Sequence, residues 1–158
     1  MAVHKLMIDD FVTVDYTLIA IHSSLEDYRL AYFVNRELEI RLEKCLKDIS
    51  FIQKKNKAYF SRYTFEDDAN DAAWNLIQNK NSLVSTQITN ISLFTEAGLS
   101  VTTSALFIPE LKTVDYILKV ENAEAEDDVI SKLLDIKYIA TAYKIDHYKL
   151  KSKNNLIF

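Results

Sequence analysis

Glycine and proline are almost missing from this chain. Gly98 and Pro109 are the sole examples in 158 residues, where ordinary proteins carry roughly 7% and 5%. Loops that cradle phosphates need glycine, because only a residue without a Cβ lets the backbone close on the anion. A P-loop and a dinucleotide fingerprint are therefore both excluded. Turns have to be built from Asn, Asp and Ser, which tolerate left-handed backbone and bond their own main chain. Cysteine is just as scarce. The single Cys45 excludes an internal disulfide and fits a reducing, cytoplasmic setting.

Long apolar runs are absent too. Leu18–Ile21 is cut at once by His22, far short of the ~20 residues that a membrane helix needs. The opening residues carry Asp9 and Asp10 and lack the apolar core of a secretory leader. Nor is there a basic excess. With 19 Lys and Arg against 23 Asp and Glu the net charge is −4, which counts against nucleic acid as the main partner.

What remains is an ordinary globular composition, 49% hydrophobic and 27% charged. The length suits a single domain spanning residues 1–158. Within it TVDYTLIAI (13–21) and TVDYILKVE (113–121) nearly repeat one another, one hundred residues apart. Both alternate with period two and predict strands. In the first, Val12, Val14, Tyr16, Leu18 and Ala20 share a face. In the second, Val114, Tyr116, Leu118 and Val120 do. Glu26-Asp27 and Glu126-Asp127 follow at the same offset and open helical patterns, where acidic residues suit the positive end of the helix dipole. Ser23 and Glu26 have capping-box spacing. The first helix is predicted over 24–47, with Tyr28, Ala31, Leu38, Leu42 and Cys45 inward and Glu37–Arg41 and Glu43–Lys47 as exposed pairs. The second is predicted over 125–135, with Val129, Ile130, Leu133 and Leu134 inward. Two strand–helix repeats read either as a duplication or as a coincidence between two half-buried strands.

Between these units the sequence is β-rich. A strand is expected over 57–66, with Tyr59, Tyr63 and Phe65 on one side and Phe60, Arg62 and Thr64 on the other. Glu66–Asp71 reads as a polar turn, 72–79 as a strand, and Asn79–Asn81 as a further turn. Further strands are expected at 100–108 and 137–148, and Leu156–Phe158 is expected to dock on the body. The predicted class is α+β: a mainly antiparallel sheet with two helices on one face. If the strands around the second helix share that sheet in parallel, their crossover should be right-handed.

Ile108-Pro109-Glu110, three residues, then Val114-Asp115-Tyr116 resembles the signature of the IPExxxVDY family, small bacterial proteins found mainly in Bacteroidetes. All six named positions match, and the Asn154-Asn155-Leu156 tail and the length extend the resemblance over nearly the whole chain. It implies no chemistry, because the family has no assigned catalytic residues to carry over.

Other constellations are thin. Glu110 and Asp115 are the candidate carboxylate pair for acid–base work, which needs their pKa values pushed apart. A solvated Glu110 and a hydrogen-bonding Asp115 explain them better, since Asp15 repeats on the other TVDY strand. His4, His22 and His147 lack metal-ligand spacing, so no metal and no cofactor are expected. Cys45 reads as a small core residue. The acidic 66–71 loop lacks the glycine and late Glu of a calcium loop. Lys57, Tyr59, Arg62 and Tyr63 interleave cations with aromatics as sheet-based RNA readers do, though the same aromatics are simply good strand residues. The leading expectation is a non-enzymatic protein–protein interaction module, with an unknown protein partner or self-association as a homodimer, and no membrane association. The alternative is an RNA-associated accessory factor using strand 54–65. An enzyme built on Glu110 and Asp115 would need a pocket around them and a raised carboxylate.

Overall fold

A computed structural model describes residues 16–53, 56–86, 100–122 and 126–158. The beginning of the first TVDY stretch, His4 and most of the 82–100 segment lie outside the described residues. Ten strands and two helices are described. In chain order they are β1 (Tyr16–Ser23), α1 (Asp27–Leu38), β2 (Glu43–Lys44), β3 (Ile49–Gln53), β4 (Asn56–Phe60) and β5 (Arg62–Asp67). They continue with β6 (Ala72–Gln78), β7 (Lys80–Thr86), β8 (Ser100–Leu106), β9 (Tyr116–Glu121), α2 (Glu126–Asp135) and β10 (Ile139–Ile145). No helix among the described residues is long and apolar enough to cross a membrane.

Six strands form one sheet in the order β10-β1-β9-β6-β5-β2, every neighbouring pair antiparallel. The chain is α+β, with both helices on one face. Leu30, Ala31 and Val34 of α1 and Val129 and Leu133 of α2 pack on Ile19, Ile21, Leu76, Leu118 and Val120. The opposite face carries Leu18, Ala20, Ile77 and Ile117. It is covered by the hairpins β3–β4 and β7–β8 and by the C-terminal segment, through Ala58, Phe60, Ala105, Phe107, Leu150 and Leu156. Buried on both faces, β1 reads as a continuous apolar run, Leu18–Ile21, where a one-sided strand would alternate. Burying a Leu or Ile side chain of this kind contributes ~1.5–3 kcal/mol, so this central strand is a large part of what holds the layers together.

β9 and β10 each run antiparallel to β1, which lies between them. The last strand–helix–strand unit therefore does share the sheet in parallel, with a foreign strand inserted, the split form of the βαβ unit.

The two TVDY stretches are adjacent in the sheet, Leu18 facing Lys119 and Ile19 facing Leu118. Positions one hundred apart point to opposite faces. Tyr16 and Leu18 lie on the hairpin side, while Tyr116 and Leu118 lie on the helix side. A shift of one residue inverts every side chain of a strand. A duplicated unit would carry its helix to the opposite face along with its side chains, yet α1 and α2 share one face. At an offset of one hundred the matched residues are therefore not structural equivalents.

Several expected elements are corrected. The first helix ends at Leu38, not 47. Glu39 turns left-handed at φ 55° with its N–H on the Asn35 carbonyl. The Asn35 side chain then accepts from Leu42 N–H at 2.7 Å and donates to the Leu42 carbonyl at 3.1 Å, pulling the chain back toward the helix. Leu42 is buried all the same. Tyr28 and Leu134 point outward, and Cys45 follows β2 in extended chain, half-buried, with no helix around it. The pairs Glu37–Arg41 and Glu43–Lys47 lose their helical spacing, and Lys44 binds Asp27 at 3.0 Å instead. Ser23 forms no capping box. Glu26 is the N-cap, while Ser23 Oγ donates to the Tyr138 carbonyl at 2.8 Å.

The 57–66 strand is two strands, β4 and β5, separated by buried Ser61, and the phase changes there. Phe60 faces the hairpin-side core and Tyr63 the helix-side core. Lys80 and Asn81 belong to β7, not to a turn. The shortage of glycine is met as expected: Asp71 and Asn122 take left-handed backbone, and Asn122 Nδ2 donates to the Asp71 carbonyl at 3.0 Å.

Candidate functional site

The IPExxxVDY residues are organised by a side chain that the sequence did not single out. Asn79 sits between β6 and β7 with no solvent exposure. Its N–H donates to the Asp115 carbonyl at 2.9 Å, and its carbonyl accepts from Phe107 N–H at 2.8 Å. Its Nδ2 donates to the carbonyls of Leu111 and Val114, both at 2.8 Å, and its Oδ1 accepts from Ile108 N–H at 2.9 Å. A buried amide must find partners for all its donors and acceptors or destabilise the fold. Asn79 finds them all in the segment 107–115. The pattern offers one signal for it, an Asn at the end of an apolar strand run.

Around this hub the motif makes two successive turns. Leu111 N–H reaches the Ile108 carbonyl at 3.0 Å, and Val114 N–H reaches the Leu111 carbonyl at 3.2 Å. Pro109 is exposed at the second position of the first turn, where its fixed φ is favoured. Ile108 and Val114 are buried in the hairpin-side core.

The two carboxylates are engaged with different parts of the molecule. Glu110 Oε1 accepts from Ser152 N–H at 2.8 Å and from Ser152 Oγ at 3.1 Å, tying down the C-terminal segment. Burial alone would push the Glu110 carboxyl up. Hydrogen bonds from its own main chain, the Ser152 hydroxyl and the main chain of Ser152 and Lys151 outweigh it, and hold the group below its usual value. Asp115 accepts from Ser23 N–H at 3.0 Å and from Lys80 Nζ at 2.8 Å, fastening the end of β1 to β7. Next to it, the Tyr116 hydroxyl donates to the Leu25 carbonyl at 2.6 Å, fixing the link into α1. Burial, then the nearby carboxylates of Asp27 and Asp115, push its phenol far above the ordinary value. Glu110 is lowered, not raised, and the pair shares no partner. The acid–base arrangement is not assembled. What the motif does is join β1, β6, β7 and the tail.

The remaining candidates are dispersed. Lys57 and Tyr59 share the exposed side of β4, the ammonium 5.2 Å from the ring centre. Tyr63 is turned into the helix-side core. Arg62 lies 4.5 Å over the Phe158 ring and donates through Nε to Cys45 Sγ at 3.3 Å. These four residues form no single stacking platform. A shallow cleft of about 730 Å³ adjoins Tyr59, lined also by Lys44, Cys45, Lys47, Asp48 and Ser50. Its Lys44 is neutralised by Asp27 and Asp48. In the acidic turn, Asp67 accepts from Ala69 N–H and from Asn70 Nδ2. His22 stacks on Tyr143, and His147 lies against Tyr16 and Tyr148. Among the described residues no three His, Cys, Asp or Glu side chains are grouped to hold a metal.

Of the C-terminal residues expected to dock, Leu156 is buried, Ile157 points out, and Phe158 stays partly exposed with Arg62 and Lys119 against its ring. Lys119 is buried beneath this segment. Its Nζ donates to the Leu156 carbonyl, pairs with Glu121, and lies 5.1 Å from the rings of both Tyr16 and Phe158. A buried ammonium demands such compensation.

One surface lies outside the expected candidates. On α1, opposite Leu30, Ala31 and Val34, Tyr28 and Tyr32 are 59% and 61% exposed. Tyr32 meets Phe33 edge-on at 5.4 Å, and Phe33 meets Tyr138 at 4.9 Å. Arg36 lies 5.1 Å over Phe33, and Lys137 6.0 Å over Tyr138. The result is an aromatic surface edged with cations. Its signal in the sequence is the i,i+4 spacing of Tyr28 and Tyr32, of which the helical pattern places only Tyr28, and on the inward side.

No family model, no curated protein and no solved structure matches this chain.

Proposed function

We propose that this chain is a non-enzymatic interaction module of the cytoplasm that docks a protein on the outward face of α1. The observation that carries the reading is the pair of exposed rings Tyr32 and Tyr138 set against half-buried Phe33, which Arg36 caps. Tyrosine and arginine dominate the energetic centres of protein interfaces, because each brings a large contact area with hydrogen bonding at modest entropic cost. We read the Ile108–Tyr116 segment as an IPExxxVDY signature whose role is to brace the fold that presents this face. Affinity capture of the tagged protein with and without nuclease tests the reading. A partner that survives nuclease and is lost in Tyr32→Ala and Arg36→Ala supports it. Partners that vanish with nuclease, and with Lys57→Ala or Tyr59→Ala, would replace it with the RNA-associated alternative.

A further inference from the structure

We propose that the occupant of this face is a second copy of the same chain, with α1 of each protomer laid on α2 of the other. The proposal rests on the interaction-module reading and names its partner. The crest of α1 presents Arg29, Tyr32 and Arg36, all exposed, at i, i+3 and i+7. The crest of α2 presents Asp127, Ser131 and Asp135, at i, i+4 and i+8 and also exposed. Among the described residues none of these four charges is in an ion pair. At 1.5 Å of rise per residue the arginines are separated by ~10.5 Å along their helix and the aspartates by ~12 Å along theirs. The two crests are therefore opposite in sign and similar in spacing, with Tyr32 between the charges of one and Ser131 between those of the other.

The helices share one face of the sheet and contact one another. A two-fold axis along the groove between them sets α1 on the partner's α2 and α2 on the partner's α1. Such a contact is self-complementary and closes at two copies. Stacking α1 on α1 would instead bring four arginines together, and stacking α2 on α2 four aspartates. Charge chooses the first arrangement and fixes its register.

Sedimentation velocity across a concentration series tests this. The wild-type chain is expected to be a dimer that weakens as salt is raised. Arg29→Glu with Arg36→Glu makes both crests acidic. Asp127→Arg with Asp135→Arg makes both basic. Each double variant should dimerise about tenfold more weakly, or worse. Mixed in equal amounts they should form a heterodimer, and all four substitutions in one chain should restore the homodimer. Circular dichroism of each variant checks that the helices persist. A wild-type monomer at high concentration overturns the proposal. So does a wild-type dimer that ignores the charge reversals, since it would use another surface. If the chain is monomeric while Tyr32→Ala still releases a captured protein, the second copy fails and the interaction-module reading stands. If neither is seen, both fail.

Discussion

Asn79 donates its side-chain amide to the carbonyl of Val114 at 2.8 Å, with no solvent reaching either residue's core position. The contact joins the end of β6 to the turn before β9. It does for the chain between Phe107 and Asp115 what a neighbouring strand does for a regular edge. Its loss should be costly, because removing one partner leaves the others buried and unpaired.

Asn79→Ala is expected to lower the unfolding free energy by about 2–4 kcal/mol, since several main-chain groups lose their partner at once. Asn81→Ala, which removes two exposed bonds, one to the Tyr59 carbonyl and one from Ser82 N–H, should cost under about 1 kcal/mol. Urea unfolding of the two variants checks the contrast. Equal losses would mean that the hub does not carry the turn.

Tyr116→Phe keeps the ring in the core and removes the bond to the Leu25 carbonyl. A loss of about 1–2 kcal/mol is expected. The phenol also makes stability depend on alkali. Its folded pKa is raised, so its contribution is complete below the ordinary value of 10.0 and is lost as pH climbs toward the folded value. In a spectrophotometric titration the wild type should retain a tyrosine that ionises only on unfolding, and the variant should lack it.

Glu110→Gln addresses the tail. The folded pKa of Glu110 lies below its ordinary 4.5, so its contribution is present above that value and fades as pH falls through the folded one. The group is largely solvent-screened, and the variant should cost under about 1 kcal/mol at pH 7. Unfolding curves of wild type and variant should differ at pH 7 and converge at pH 2–3. A difference that persists in acid would show that the carboxylate charge is not what holds Ser152.

Leu156→Ala opens the hairpin-side core beneath the C-terminal segment. About 2–4 kcal/mol should be lost. Amide exchange should rise at Ser152 and Asn155, whose N–H groups donate to Glu110 and to the Ser152 carbonyl. Protection left unchanged would mean that the segment is held by its polar contacts alone.

What could be read from the chain and what could not divide along physical lines. The strands that alternate or run fully apolar, such as 116–121 and 72–78, were legible, because burial of a face leaves a period in the sequence. So were α2 and the polar turn that ends at Asp71, since a chain with one glycine must build its turns from Asn, Asp and Ser. The end of α1 was not legible. Residues 39–47 keep a helical pattern, yet the helix stops where Glu39 turns left-handed and the Asn35 amide takes the main chain of Leu42. The break at Ser61 was hidden for a similar reason. Tyr, Phe and Arg suit either face of a strand, and which face is inside depends on what lies across it.

By itself, the sequence determined the α+β class, the exclusion of glycine-built phosphate loops and the place of the IPExxxVDY segment. Those follow from composition and from short-range periodicity. The tertiary structure decided that matched residues of the two TVDY stretches are not structural equivalents, since they face opposite sides. It parted Glu110 from Asp115 and set Asn79 at the centre of the motif. It also left Tyr32 and Arg36 bare on α1. Those outcomes depend on contacts between residues far apart in the chain, whose partners no local pattern can name.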